Sequence, residues 1–304
     1  MSLTSQSVLE EDFLLILLSD SNLPVGGFVS SSGLESFVNH SFMNRCKSES
    51  SKADQLIDFI RASTHSYGSI CVPFFYHVST VVRSHLVEGS VSQPTTSSLK
   101  KSKEEISKIS IHRSISSIKK LNQIYDSMCL SQVNQRNSKA QGAAMLMLYV
   151  KSFVPPSETT DSIDQLKHKL FMALKDQIRR DKLSIHFPIS FSFVTTLLCL
   201  SFDRSIYLHL FLHMRSILSS AVRLNIIGPY QSQRLLFDRA KSVLEVILDE
   251  LRDKRLCRKD QVECELVVDE SGSESIEDGP STSWPFGEIV MSRHDVCHVR
   301  LFNS

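Results

Sequence analysis

Ser19-Asp20-Ser21-Asn22-Leu23-Pro24-Val25-Gly26-Gly27-Phe28-Val29-Ser30-Ser31-Ser32-Gly33-Leu34-Glu35 is the stretch on which the fold turns. The run in front of it, Asp12-Phe13-Leu14-Leu15-Ile16-Leu17-Leu18, is too apolar for a surface segment and reads as a buried helix. Pro24 and the Gly26-Gly27 pair end that helix, because proline lacks the amide donor and glycine favours turns. A second helix is expected to open at Ser32. Ser32-Gly33-Leu34-Glu35 has the S-x-x-E form of a capping box, in which the hydroxyl accepts from the N–H three residues on and the carboxylate reaches back to the cap's own N–H. The two glycines allow positive φ or close backbone approach, and Phe28 is a large apolar group among small residues. By itself, Pro-x-Gly-Gly-Phe reads as a helix–helix connection with a buried phenylalanine.

Outward from this stretch the chain reads as all-α. Glycine is scarce, at 10 residues, and apolar residues recur at three and four and seldom alternate. Leu56, Ile57, Phe59 and Ile60 predict one helix, and Phe74, Phe75, Val78 and Val81 another with Pro73 in its first turn. Residues 89–107 are Ser-rich and polar and read as a disordered insertion. Helical spacing returns at Ile111, Ile115, Ile118, Leu121 and Tyr125, again from Gly142 to a stop at Pro155-Pro156, and again over Leu166, Leu170, Leu174 and Ile178 up to the basic Arg179-Arg180 terminus. The most apolar segment starts at His186-Phe187-Pro188. Asp203 then suggests the N-cap of a long helix reaching about Ile227, and Gly228-Pro229 breaks it before a helix with Leu235, Leu236, Val243, Ile247 and Leu251. The expected organisation is one bundle-like domain of about ten helices over residues 1–260. An acidic flexible linker and a docking tail follow over residues 261–304.

Length and charge narrow the function. A chain of 304 residues buries roughly 75% of its unfolded surface, so a sizeable core is available. Lys+Arg 34 against Asp+Glu 33 leaves +1, too little for a broad nucleic-acid-binding field. No apolar run approaches a membrane span, and Glu10-Glu11-Asp12 before a short apolar run does not read as a secretory leader. Seven cysteines without regular spacing do not form a disulfide framework, which predicts a reducing, cytoplasmic location.

Five ordered blocks carry a family resemblance. Asp20-Ser21, Leu23-Pro24, Gly26-Gly27-Phe28, Ser31 and Gly33-Leu34-Glu35 resemble the N-terminal signature of the urease accessory protein F family. Asn134-Gln135-Arg136 to Gly142 resembles its central helix, and His186-Phe187-Pro188-Ile189-Ser190-Phe191 its H-[FY]-P-V-x-F run. Ser219-Ser220-Ala221-Val222-Arg223-Leu224 with Gly228-Pro229-Tyr230-Gln231 and Gln233-Arg234 resembles a further block, and Arg293-His294-Asp295 to Arg300-Leu301-Phe302 resembles its C-terminal end. The resemblance covers nearly the whole chain apart from the two polar stretches. It implies an all-helical protein that is not an enzyme. Such a protein couples a D/H-type scaffold and a G-type GTPase on apo-urease for GTP-dependent nickel insertion, forms homodimers, and holds no tightly bound cofactor, nickel being handled by the complex.

By the same resemblance, Glu35, Arg223, Gln231 and Gln233 fall on the GTPase side. Trp284, Phe286, Arg293, His294, Arg300, Leu301 and Phe302 form a scaffold-binding tail, and Pro24, Gly26, Gly27, Phe28 and Gly33 shape the loop. From the residues themselves, an Arg223 among apolar positions needs a partner, and an internal ion pair is the plain alternative. The aromatic and arginine content of the tail is that of an interface anchor, expected to order only on its partner. The competing function is a nickel-binding metallochaperone using its own groups. His209 and His213 are four apart on one helix face, and His294, Cys297 and His298 form a second cluster. Neither shows a full ligand set, and packed core histidines are the simpler reading of the first pair. No glycine precedes a lysine, so there is no P-loop, and no G-x-S-x-G elbow occurs.

Overall fold

The computed structural model describes residues 3–43, 49–91, 99–154, 162–256 and 280–303. Among them the regular structure is helical. The α-helices are α1 (Leu3–Leu18), α2 (Leu34–Asn39), α3 (Glu49–Val91), α4 (Leu99–Met128), α5 (Gln132–Ser152), α6 (Ser162–Asp181), α7 (Phe187–Leu197), α8 (Phe202–Arg223), α9 (Pro229–Leu235), α10 (Lys241–Leu256) and α11 (Pro285–Ser292). Short 3₁₀ turns cover Gly27–Val29 and Arg293–Val296, and a π-helical turn, Leu236–Ala240, joins α9 to α10. No described helix is long and apolar enough to cross a membrane.

Three expectations about helix boundaries are corrected. The two helices expected on either side of Pro73 are one, α3, with the proline in its interior. Proline removes one i→i−4 bond, yet Leu56, Ile60, Phe74, Phe75 and Val78 are all buried and share one helical face, so burial carries the helix through. Likewise α8 ends at Arg223, short of Ile227, because Asn225 takes a left-handed φ of 54° as a helix-stopping residue, and Asp203 lies inside the first turn. Gly228 is the extended N-cap of α9, with Pro229 in its first turn as expected. Of the polar insertion expected at 89–107, α3 continues to Val91 and α4 opens at Leu99, while 92–98 lie outside the described residues. Most of the acidic linker, 261–279, lies outside them too.

The described chain divides into two compact units, each drawn from three separate stretches. The first takes residues 1–26, 78–129 and 138–205. Its centre is α7, buried from Pro188 to Leu197, whose hydroxyls on Ser190, Thr195 and Thr196 return to carbonyls three or four residues back and so leave no polar group unpaired. Gly142 explains how α5 approaches this helix: a Cβ there would lie 2.0 Å from the Ile185 carbonyl oxygen. His186, at the start of α7, hydrogen-bonds Asp126 (2.8 Å) and Ser138 (3.1 Å), and its own N–H donates to Asn122 Oδ1. Burial lowers its pKa from the usual histidine value. In the same unit Glu11 and Asp12 pair with Arg204 and Leu18 is buried, but Leu9, Phe13 and Ile16 of α1 face solvent. The expectation of a fully buried first helix is therefore corrected: charge pairs hold α1 in place, so its apolar stripe need not be enclosed.

The second unit takes residues 27–77, 130–137 and 206–304. Its core contains Leu34, Leu56, Ile60, Phe75, Leu210, Ile217, Val243, Ile247 and, from the tail, Val290 and Phe302.

Candidate functional site

The second unit joins three motif blocks that are far apart in the chain. Gly26 takes a φ of 72°, the left-handed conformation its place in the sequence predicts. The carbonyls that follow are taken up by one face of α8. Ser216 Oγ donates to Gly27 O (3.2 Å) and Ser30 O, Ser220 Oγ donates to Ser30 O (3.2 Å), and the Arg223 guanidinium donates to Phe28 O. Residues 216, 220 and 223 are spaced i, i+4, i+7, so a single helical stripe holds the loop.

The capping box is not formed. The residue before α2 is Gly33 at φ 84°, without a side-chain cap, and the Glu35 N–H is met by Ser31 Oγ, while Ser32 has a φ of 51°. Glu35 is 2% exposed, and its carboxylate accepts from the tail: from Leu301 N–H at 2.5 Å, Phe302 N–H at 3.1 Å and His294 Nε2–H at 2.8 Å. Other bonds extend the joint. Ser36 Oγ donates to Val290 O at 2.6 Å, and Asn303 N–H donates to Val29 O at 2.9 Å. The Arg223 guanidinium lies 4.3 Å over the Phe302 ring, a cation–π contact. Arg223 is thus held by carbonyls and a ring and not by the internal ion pair of the plain alternative, and burial lowers its pKa from the ordinary guanidinium value.

The tail is consequently docked on its own unit, which corrects the expectation that it orders only on a partner. Large apolar groups explain the docking: Phe37, Phe42 and Phe59 meet Trp284 and Phe286 at ring separations of 5.0 to 6.4 Å. Glycine at 287 makes room for Trp284, whose ring lies 2.2 Å from where a Cβ would be, and Gly33 does the same for the Met291 side chain. Arg136 Nη2 donates to both carboxylate oxygens of Asp295, at 2.8 and 2.9 Å, and holds that carboxyl below the usual carboxylate range. Both partners are part-exposed, so the pair contributes about 0–1 kcal/mol.

The expected site residues therefore fall into two groups. Glu35, His294 and Phe302 are buried in the joint. Arg293, Arg300, Leu301 and Gln233 are exposed, and Trp284 and Gln231 are half-buried. Phe28, expected to be buried, is 64% exposed, because Arg223 holds its carbonyl and leaves the ring outside. Tyr230, 91% exposed, and Phe237 are solvent-facing aromatics on the same unit that the sequence did not single out.

The histidine candidates for metal are engaged otherwise. His209 Nε2 bonds Tyr67 Oη at 2.8 Å and His213 Nε2 bonds Ser63 Oγ at 3.0 Å, with the Tyr67 ring stacked on both imidazoles. Burial lowers the two pKa values to about 3 and about 4, keeping both rings neutral. Tyr67 had no signal in the sequence, since only the fold brings it to α8. Among the described residues no three of His, Cys, Asp and Glu are placed to hold a metal ion.

These features define an all-helical protein whose most constrained site is a non-covalent joint flanked by exposed apolar side chains. A family model described as UreF matches residues 50–240, and the chain belongs to that family. It is 35% identical to Urease accessory protein 6 of Cryptococcus neoformans var. grubii, over 97% of this chain and 98% of that protein. It is 24% identical to an uncharacterized urease accessory protein UreF-like of Schizosaccharomyces pombe, over 97% of each. It is also 24% identical to Urease accessory protein F of rice, over 70% of this chain and 62% of the rice protein.

Proposed function

We propose that this chain works in urease maturation as a non-enzymatic coupling subunit, joining a D/H-type scaffold and a G-type GTPase on apo-urease so that nickel is inserted at the expense of GTP. The support is family membership, together with the names of its relatives. The observation that carries the reading is the joint itself. Glu35, Arg223 and Phe302 fix the loop and the tail as one rigid piece, while Phe28, Ile289, Val299 and Leu301 beside them stay exposed and available to a partner. Gln231 and Gln233 on the GTPase side, and Arg293 and Arg300 on the scaffold side, supply the polar rim. Nickel in this reading is cargo of the complex, and the neutral, engaged His209 and His213 do not favour a metal-holding role. Homodimerisation and action in the cytoplasm belong to the same proposal.

Co-expression of the full chain with a scaffold and a GTPase of these types, followed by pull-down, tests it. Both partners should be retained, and Val299→Asp, at an exposed position whose N–H is not bonded to Glu35, should lose the scaffold with an unchanged melting temperature. Retention of neither by the intact chain would overturn the reading. Stoichiometric nickel binding by the isolated chain, abolished by His209→Ala or His294→Ala, would favour the metallochaperone instead.

A further inference from the structure

We propose that the solvent face of α4 is a docking site for a carboxylate-rich protein segment. Lys108, His112, Arg113 and Lys120 line one open concavity of about 560 Å³ together with Ser116 and Ser117. They are brought to one side of the helix by spacing, because the other side is buried through Ile115, Ile118, Leu121 and Tyr125. Lys108, Arg113 and Lys120 take part in none of the ion pairs among the described residues. Two carboxylates near them among the described side chains are engaged elsewhere: Asp181 pairs with Lys119 at 2.6 Å, and Glu88 accepts from Ser110 at 2.8 Å. In a chain of net charge +1, three cations on one face that enter none of the ion pairs among the described residues are a local concentration of positive charge.

The spacing decides what kind of anion fits. From Lys108 to Lys120 the helix rises about 18 Å, so a single phosphate reaches one end of the face at most. A ligand meeting all three cations must carry its charges along a line of that length. A nucleic-acid strand does so, but its charge density greatly exceeds what three cations neutralise, and so few phosphate contacts bind weakly at physiological salt. A peptide with carboxylates every few residues matches the spacing. The hydroxyls of Ser116 and Ser117 can then serve its backbone, and Ile109, which is 60% exposed, gives it an apolar contact.

Fluorescence anisotropy with the full chain tests this. The probes are a labelled Glu-Ala repeat peptide long enough to span the face, its Gln-Ala counterpart, and a labelled oligothymidylate, with inorganic phosphate as competitor. The Glu-Ala peptide should bind and the Gln-Ala peptide should not. Binding should weaken with salt, and by about tenfold or more in the Lys108→Glu, Arg113→Glu, Lys120→Glu triple variant. All three positions are exposed, so the variant should keep its circular dichroism and melting temperature, and the milder triple alanine variant serves should it fail to fold. Equal binding of the two peptides, indifference to the substitutions, stronger binding of the oligothymidylate, or displacement of the peptide by phosphate would each overturn the proposal.

Discussion

Replacing Glu35 by alanine is expected to undock the tail while the helices stay folded. The carboxylate is the acceptor for three N–H groups, those of Leu301, Phe302 and His294 Nε2. Because Glu35, His294 and Phe302 are almost fully enclosed, water does not replace the acceptor lost to His294 Nε2–H and Phe302 N–H, and each stranded donor costs about 1–3 kcal/mol, whereas Leu301 N–H can turn to solvent. The sum, about 2–6 kcal/mol, is relieved when the tail lifts off and rehydrates its amides. The observable loss is therefore capped at the free energy of docking, and the docked state becomes the minor one. Hydrogen exchange read by mass spectrometry separates tail from core. Amides of residues 285–303 should exchange at least about a hundredfold faster, the equivalent of about 3 kcal/mol, and those in the centre of α3 should not change. Glu35→Gln, which keeps one acceptor oxygen but turns an amide toward the remaining donors, should fall between. Wild-type exchange of the tail in Glu35→Ala would refute the assignment of this carboxylate as its anchor.

Acidification should destabilise the protein before its carboxylates protonate. The buried His209 has its pKa lowered to about 3, so as pH falls below the ordinary 6.5 the unfolded chain takes up a proton that the native state refuses. Stability is then lost at about 1.4 kcal/mol per pH unit, and more steeply down to about 4 through His213, so urea midpoints that stay level between about pH 7 and pH 5 would contradict the burial. Gly142→Ala should lose about 1–3 kcal/mol or more in urea unfolding, because the backbone oxygen it meets cannot rotate away; an unchanged midpoint would show that α5 shifts freely. Phe28→Ala should alter stability by less than about 0.5 kcal/mol while reducing capture of a partner in co-expression, and full capture would exclude its ring from the contact.

The helical class, the turn at Gly26, Pro229 at the start of α9 and the stop near Arg180 were legible because each is dictated by residues within a turn of one another. Glu35 was misread for the same reason. Its S-x-x-E setting is a sound local signature, but the donors that claim the carboxylate lie 259 to 267 residues away, and no local pattern encodes them. Arg223 was recognisable as a residue in need of a partner, yet a carbonyl and an aromatic ring leave no charge complement to search for. The tail was legible as an anchor from Trp284, Phe286 and Phe302; what it anchors to depended on Phe37, Phe42 and Phe59, which look like ordinary core positions. Pro73 was taken for a boundary because its local penalty is visible in the sequence, and the continuous buried face that outweighs it is visible only in the fold.

The separation between Glu35 and Phe302 also sets a timetable for synthesis. The ribosome makes the tail 267 residues after the carboxylate that will receive it, roughly 15 to 50 seconds at ordinary elongation rates. The first unit, whose stretches end at Ser205, has its full complement of residues well before then and can form on the nascent chain. Throughout that interval the acceptor oxygens of Glu35 and the carbonyl of Val29 have only water or a chaperone to meet, so the second unit becomes complete only as its tail emerges.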